Sequence, residues 1–415
     1  SEAWRCSLLR QGLRGGYAGL DLEEDLRNTE LATAARQAGM TVVRSFHDTA
    51  GVPDDLAARV RSLPQGPGEV PKAVTTPRST EDLVRLGRAF GELGGVPKIL
   101  VGMGERGLFT RVLAPKLGSW LTYCSPGQLD PERLLGLYRW RTIDARTLVC
   151  GVVGNPIAHS RSPEIHNRGY AALGLNAVYL PFLVDRVEPF FELAELLQLA
   201  GFSVTMPFKE QVIPLLAECD PAVRAIGACN TVVHRGPGRW FGTNTDAAGF
   251  LAPLGSRVPS VLSPGTRALV IGAGGAARSV VYALVSKGIR PLILNRTASR
   301  ARRLGEEFGC PWGPLGPEGL VLAAGGVDLV VQTTSAGMAG DREIDPLPGY
   351  RFSGSEVVYE VVYDPPVTPL LARAAAAGCR TVGGLEMLEA QGREQFRLYT
   401  DCSYPAEDLQ GPPRG

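Results

Sequence analysis

Lysine is scarce in this chain: of 43 basic side chains in 415 residues, five are lysine (Lys72, Lys98, Lys116, Lys209 and Lys287) and the others arginine. Arginine can replace lysine as a surface cation, but it does not give up its proton near neutral pH or form a Schiff base. Positions that stay lysine are therefore enriched in chemistry. Net charge is scarce as well, with 43 basic against 42 acidic residues. No basic stripe interleaved with aromatics occurs, which sets aside nucleic acid as a partner and leaves small molecules. No run of about 18 apolar residues is present to cross a bilayer. The first 30 residues carry charges throughout, unlike a signal peptide, so a cytoplasmic or plastid-stromal setting is expected. The eight cysteines lie far apart with no C-x-x-C spacing, so no metal site and no disulfide framework is expected. Oligomeric state is left open.

What is present is an alternation of strand-like apolar runs and helical periodicity, the mark of an α/β protein. Three segments are expected. Residues 1–146 carry strand-like runs at 17–22, 41–45, 70–74, 98–101 and 120–123, separated by helical stretches such as 25–38 and 80–93. The second, 147–250, opens with a strand at 148–153 and a helix at about 163–173, and a late helix within 384–402 completes it. The third, 251–383, runs strand, glycine loop, helix, strand. The proline- and glycine-rich tail at 403–415 is expected to be disordered.

In the third segment the strand-like run 268–271 leads into GAGGAAR (272–278). Gly272, Gly274 and Ala277 match G-x-G-x-x-[GA], where small residues, with Gly275 and Ala276 between them, let backbone amides reach a pyrophosphate. The next strand ends at Asn295-Arg296-Thr297. Where an acidic residue would bind the ribose 2′-hydroxyl of NAD, Arg296 stands instead and favours the 2′-phosphate of NADP. A tight turn with a surface arginine is the plainer alternative.

Upstream lie VTMPFK (204–209), GACNT (227–231) and GTNTD (242–246). Lys209 and Asp246, set among small polar residues, are an acid/base pair suited to moving a proton beside a nucleotide. Hydride delivered to a ketone leaves an alkoxide, which needs a proton donor and positive charge close by, and Lys209 supplies both. Asp246 would hold the ammonium, so the two should titrate together. A surface ion pair is the alternative.

In the first segment, SFHD (45–48) ends a strand and VPKAVTT (70–76) places a rare lysine in an apolar one. Strand ends of a β/α array are where catalysis gathers. A desolvated lysine there loses affinity for its proton and attacks a carbonyl as the free amine. A lysine snorkelling from a strand edge is the alternative for an isolated case.

Taken in order, GVVGNPIAHSRSP (151–163), SVTMPFK, GACNT, GTNTD, GAGGAAR, NRT, YDPPVTPL (363–370) and GLEMLEAQ (384–391) resemble shikimate dehydrogenase across roughly 250 positions. The resemblance implies that Ser160 and Ser162 bind the substrate carboxylate and Thr205, Asn230 and Gln391 its hydroxyls, with Tyr363 also on the substrate. Lys209 and Asp246 would be the catalytic pair, and Asn295, Arg296, Thr297 and Gly384 would join the glycine loop on NADP(H). Three positions depart from the family pattern: Ser203 replaces the asparagine of N-V-T, Gln332 that of N-A-T-S, and Glu360 the aspartate of D-M-V-Y. They put tight preference for shikimate over quinate in question.

Residues 45–48 and 70–76, with GLFTR ending at Arg111 and SPGQ ending at Gln128, are similar to the C-terminal part of type I 3-dehydroquinate dehydratase. That resemblance implies a Schiff base on Lys72, His47 as general acid/base, and Arg111 with Gln128 on the substrate, while Asp21 and Glu23 would orient His47. His159, His166 and His234 are expected to be structural. A complete barrel of this kind has eight strands in about 250 residues, whereas five are read here. The chain opens on Ser1 and reads as a fragment with this half truncated.

The expectation is thus a partial (β/α) barrel followed by a two-domain dehydrogenase with a Rossmann-type NADP domain, joining two successive steps of aromatic precursor biosynthesis. Two alternatives stay open. One is a quinate/shikimate dehydrogenase with a non-catalytic N-terminal scaffold, and the other a non-catalytic NADP-dependent regulator.

Overall fold

The computed structural model of the chain describes residues 2–26, 28–125, 129–338 and 340–406. The chain divides into two compact units, Ser1–Ala158 with Tyr170–Ala200, and His159–Gly169 with Gly201–Gly415. The tail expected to be disordered lies, from 407 on, outside the described residues.

Unit 1 opens with a four-stranded parallel sheet in the order β1 (Gly19–Glu23), β2 (Thr41–Asp48), β3 (Glu69–Thr75), β4 (Ile99–Gly102). Parallel neighbours need crossover connections, and the helices Thr29–Gln37, Leu56–Ser62 and Thr80–Glu92 supply them. Asn28 and Ser79 cap two of these, each side chain accepting an amide of the first turn. The alternation of β1 sends Leu20 and Leu22 into a core with Leu31, Ala35 and Val42, and leaves Asp21 and Glu23 on the opposite face. All seven residues of β3 are buried, Lys72 among them.

The fifth strand expected at 120–123 does not form. The Trp120 amide donates to the Lys98 carbonyl as a ladder would, but Trp120 is 50% exposed and the Thr122 hydroxyl donates to the Arg111 carbonyl. One bond without a buried face does not sustain a strand. Conversely, the helix Glu2–Gly12 was not legible, because it buries only Cys6 and leaves Trp4 and Leu8 exposed.

Unit 1 also contains β5 (Leu148–Gly154) and β6 (Ala177–Leu183), a parallel pair. The helix Glu188–Leu196 lies against Thr80–Glu92 where Gly87 leaves room: a Cβ there would stand 3.1 Å from both Leu193 and Leu196. Arg88 donates twice to the Glu192 carboxylate, at 2.6 and 2.8 Å. The Thr80 amide and hydroxyl both donate to Asp185, at 2.8 and 2.9 Å. Residues on either side of position 147 therefore pack as one body.

The unit boundary falls inside β7 (Leu199–Val204). In unit 2 the end of β7 pairs antiparallel with β9 (Thr231–His234), β9 with β10 (Trp240–Thr243), and the short β8 (Glu218–Cys219) lies parallel to β10. A second sheet follows, all parallel, built from β11 (Ala268–Ile271), β12 (Leu292–Asn295), β13 (Trp312–Pro314), β14 (Leu329–Gln332), β15 (Val357–Glu360) and β16 (Arg380–Val382). Its order is β13-β12-β11-β14-β15-β16. The direction of winding reverses between β11 and β14, and in such sheets ligands bind at the carboxyl ends of the strands beside that switch. The closing helix Gly384–Thr400 packs along Asp246–Arg257, with Gly249 tight against Gln391.

His166 sits fully inside unit 2 against Phe396 and Tyr399, at ring separations of 6.2 and 5.8 Å. Burial pushes its pKa down to about 3, which makes it a neutral core group, as expected. All eight cysteines are free thiols. Among the described residues no helix is long and apolar enough to cross a membrane, and no cluster of three or more His, Cys, Asp or Glu could hold a metal.

Candidate active sites

In unit 2 the site is assembled at the ends of β7, β9 and β10. β9 and β10 pair Thr231 with Thr243, which brings Asn230, just before β9, to Thr245 and Asp246, just after β10. Asn230 is buried, and its amide nitrogen donates to Asp246 Oδ1 at 2.8 Å, Thr245 Oγ1 at 2.9 Å and Gln391 Oε1 at 3.2 Å. Its oxygen accepts the Thr245 amide and the Thr231 hydroxyl, both at 2.8 Å. Donors and acceptor are all used, so the amide orientation is fixed.

Asp246 begins the helix Asp246–Arg257, where the positive end of the helix dipole favours a carboxylate. Its second oxygen receives Lys209 Nζ at 2.5 Å. The side chains are 16% exposed for Lys209 and 7% for Asp246, so the ammonium is sheltered yet reachable. Charge-assisted bonds of this kind are the strong ones. The turn carrying Lys209 is anchored by buried Phe208, whose amide donates to the Thr205 carbonyl, and by the Cys229 amide, which donates to the Lys209 carbonyl. VTMPFK and GACNT are thereby joined through their backbones.

Burial pushes the phenol of half-buried Tyr363 up, and the neighbouring Ser160 side chain and Arg161 amide work against that rise. Ser162 starts the helix Ser162–Ala172, with its amide on Ser160 Oγ at 3.4 Å. Thr205, Asn230, Gln391, Ser160, Ser162 and Tyr363 all fall in unit 2 with Lys209 and Asp246.

The glycine loop leaves β11 at the winding switch. Gly272 has φ +116°, a backbone conformation that suits glycine, and a Cβ there would stand 2.3 Å from Thr333 Oγ1. Gly274 faces open space and caps the helix Gly275–Ser286 with no side chain on the first-turn amides. These amides are open donors for an anion. A Cβ on Gly275 would lie 3.1 Å from Cβ and Cδ of Lys209, so the helix, which continues through Ala276, starts against the stem of the lysine. At the end of β12, Asn295 bonds the Thr297 carbonyl at 2.9 Å. Arg296 and Thr297 are exposed, and among the described residues Arg296 makes no ion pair or hydrogen bond. Gly384 is pressed against the Val361 and Val362 carbonyls, where a Cβ would stand at 2.2 and 2.7 Å. Its tightness is accounted for by packing.

Four participants were missed in the sequence. Thr231 and Thr245 complete the Asn230 network, and Asn244 donates to the Ala228 carbonyl and Ser279 Oγ at 2.9 and 3.0 Å. All three lie inside GACNT or GTNTD, and that density of polar residues was the available signal. Arg278 donates to the Ile226 carbonyl at 2.5 Å and packs on Gly227, a contact over about fifty residues that no local pattern announces.

In unit 1, Lys72 Nζ lies 2.6 Å from Asp21 Oδ2 and is nearly buried, and the Ser45 hydroxyl donates to Asp21 Oδ1 at 2.6 Å. The Tyr123 ring lies 4.6 Å from the ammonium. His47 Nδ1 is 2.5 Å from Glu23 Oε1. Glu23 thus meets His47 as expected, whereas Asp21 meets Lys72 instead. The register explains the division, since Glu23 stands opposite Ser45 and Asp21 opposite Val43. A cavity of about 380 Å³ beside them is lined by Trp4, Arg5 and Leu8 as well as by Asp21, Glu23 and His47. Arg111 is buried in the short helix Leu108–Val112 and donates to the Gly104 carbonyl at 2.8 Å. Burial pushes its guanidinium below the usual range. Gln128 lies outside the described residues.

A parallel sheet in Rossmann order, with an ion-paired lysine at its glycine loop, defines a dinucleotide-linked dehydrogenase class. Comparison with known proteins narrows it. Residues 1–145 match the family "Type I 3-dehydroquinase", 152–232 "Shikimate dehydrogenase substrate binding domain", and 260–338 "Shikimate / quinate 5-dehydrogenase". The bifunctional 3-dehydroquinate dehydratase/shikimate dehydrogenase, chloroplastic, of Arabidopsis thaliana is 32% identical over 438 residues, covering 98% of this chain and 71% of the relative. A shikimate dehydrogenase (NADP(+)) of Oleidesulfovibrio alaskensis is 41% identical over 61% of this chain and 90% of its own length. The structure of shikimate 5-dehydrogenase from Thermus thermophilus in complex with NADP(H) and shikimate matches 62% of this chain and 95% of that one, with 36% identity and a TM-score of 0.56. The chain belongs to the bifunctional 3-dehydroquinate dehydratase/shikimate dehydrogenase family.

Proposed function

We propose that unit 2 reduces 3-dehydroshikimate to shikimate with NADPH, and that unit 1 carries the lysine and histidine of a Schiff-base dehydratase for 3-dehydroquinate, the preceding step, in a substrate site that its four described strands leave incomplete. In this reading residues 1–146 form the dehydratase part, 147–250 with 384–402 the substrate domain, and 251–383 the cofactor domain. The observation that carries it is the Lys209–Asp246 pair at 2.5 Å, abutting the start of the glycine-loop helix.

The residues present fit NADP(H). The uncapped amides beyond Gly274 would hold the pyrophosphate, Gly272, Gly275 and Ala276 being small enough to let it approach, and the uncommitted Arg296, between Asn295 and Thr297, would take the 2′-phosphate. The bound nicotinamide supplies the hydride. Lys209 donates its proton to the carbonyl oxygen and stabilises the negative charge developing there, where a pre-placed cation is most effective. Asp246 keeps the ammonium aimed at that oxygen and accepts from the hydroxyl that forms. Asn230, locked by Thr231 and Thr245, holds Asp246 in place. Ser160, Ser162 and Tyr363 would bind the carboxylate, and Thr205 and Gln391 the remaining hydroxyls.

Absorbance at 340 nm tests the reading in the oxidative direction. Shikimate with NADP+ should give a steady rise, and quinate a slower one; no rise with either would leave a non-catalytic NADP-dependent protein as the better description. Cofactor choice is tested separately. Arg296→Asp should weaken NADPH binding by about 10- to 100-fold, the cost of one charged hydrogen bond plus repulsion, with NADH affinity unchanged. Equal binding of NADH and NADPH by the unsubstituted chain would remove the role given to Arg296.

A further inference from the structure

The departure at Glu360 has a structural counterpart that the mechanism does not use. Glu360 ends β15, is fully buried, and is the cross-strand partner of Gln332. Each of these two side chains turns back on the loop that follows its own strand. Gln332 accepts the Thr334 amide at 2.8 Å and donates to the Thr334 and Ala336 carbonyls at 3.2 and 3.1 Å. Glu360 does more, because its two oxygens reach the two ends of one loop. Oε1 accepts the Val362 amide at 2.9 Å, and Oε2 accepts the Thr368 hydroxyl at 3.0 Å. Thr368 Oγ1 in turn accepts the Leu371 amide and caps the helix Pro369–Ala376. Residue 363, next to the first clamped amide, is the tyrosine that lies beside Ser160. From the other side Gly384 allows the first turn of the closing helix to rest on the Val361 and Val362 carbonyls.

A buried carboxyl is costly to keep unless its oxygens are satisfied. Burial pushes Glu360 up to about 8, with the Val362 amide and Thr368 hydroxyl working against that rise. The longer side chain is thus held in the interior with a contact at each end of the loop. We propose that Glu360 is a positioning residue for the substrate: by clamping both ends of the loop 361–368 it fixes Tyr363 against Ser160, and so sets affinity for the carboxylate of a hydroxylated cyclic acid. The inference rests on the dehydrogenase reading of unit 2, in which Ser160 and Tyr363 meet that carboxylate.

The test is calorimetric binding of shikimate and, separately, of NADP+ to the full chain and to Glu360→Ala, Glu360→Gln, Thr368→Val and Tyr363→Phe. Glu360→Ala and Thr368→Val should each raise the shikimate Kd about tenfold, the effect of one lost hydrogen bond passed on to the tyrosine, and leave the NADP+ Kd within about twofold. Glu360→Gln keeps a polar group on both contacts and should restore near-normal affinity. Glu360→Ala combined with Tyr363→Phe should be no worse than Tyr363→Phe alone, since residues acting through one another are non-additive. An unchanged shikimate Kd, full additivity with Tyr363→Phe, or parallel loss of NADP+ affinity overturns the proposal. Should Glu360→Ala not fold, Thr368→Val decides by the same criteria. Normal shikimate binding without turnover would refute the dehydrogenase reading while leaving the clamp intact, and absence of shikimate binding by the unsubstituted chain would refute both.

Discussion

Lys209→Ala should lower kcat for 3-dehydroshikimate reduction by about 10²- to 10⁴-fold, the range for loss of a positioned general acid, with NADPH affinity changed by less than about threefold. The separation of the two effects follows from the geometry. The stem carbons Cβ, Cγ and Cδ of the lysine are what lies nearest Gly275, whereas the ammonium is given to Asp246. Truncation therefore removes proton and charge from the reacting oxygen and leaves the open first-turn amides in place. Lys209→Arg should not rescue turnover, because a guanidinium keeps the charge but does not release the proton near neutral pH. Removing one partner of a sheltered pair also leaves the other charge uncompensated, so Asp246 is expected to rearrange. A thermal melt of each variant separates that effect from lost chemistry. Turnover unaltered by Lys209→Ala would remove Lys209 from the mechanism.

The second large effect is expected as an absence. Borohydride added to this chain with 3-dehydroquinate should leave the peptide containing Lys72 unmodified by mass spectrometry. Three observations lead there. The Lys72 ammonium is ion-paired to Asp21 at 2.6 Å, whereas Schiff-base formation needs the free amine. Arg111, assigned to the substrate by resemblance, is buried and donates to the Gly104 carbonyl. The sheet around Lys72 has four strands among the described residues, against about eight in a closed barrel whose loops surround the ligand, and β1 has no strand partner beyond β2 there. Lys72 and His47 thus each have a carboxylate of their own, and the described strands supply one side of such a site. A reduced adduct on Lys72 would show that this side suffices.

Much of this organisation was legible in the sequence because it is local. The glycine loop, its strand and its helix are contiguous, and the winding order of the second sheet follows from the repeated strand–helix alternation. Lys209 and Asp246 were identifiable because lysine is rare here and each sits in a short polar motif. Their contact was a matter of resemblance and became a distance only in the structure. What stayed illegible depends on long-range packing. Gly87 under Leu193 and Leu196, Arg278 on the Ile226 carbonyl, and Asp21 with Lys72 rather than His47 are set by register and helix docking. The strand expected at 120–123 failed for the complementary reason: its apolar residues had the right local pattern but one exposed face and a single ladder bond. Glu360 was read as one of three departures bearing on preference for shikimate over quinate, and only the fold shows that its side chain spans a whole loop.

The measurement that bears most directly on the central claim is absorbance at 340 nm with 3-dehydroshikimate and NADPH, coupled to chromatographic assay of product. The Lys209–Asp246 site predicts loss of NADPH with shikimate appearing in equal amount, at a rate about 10²- to 10⁴-fold lower in Lys209→Ala. NADPH left unconsumed, or consumed without shikimate, would contradict it.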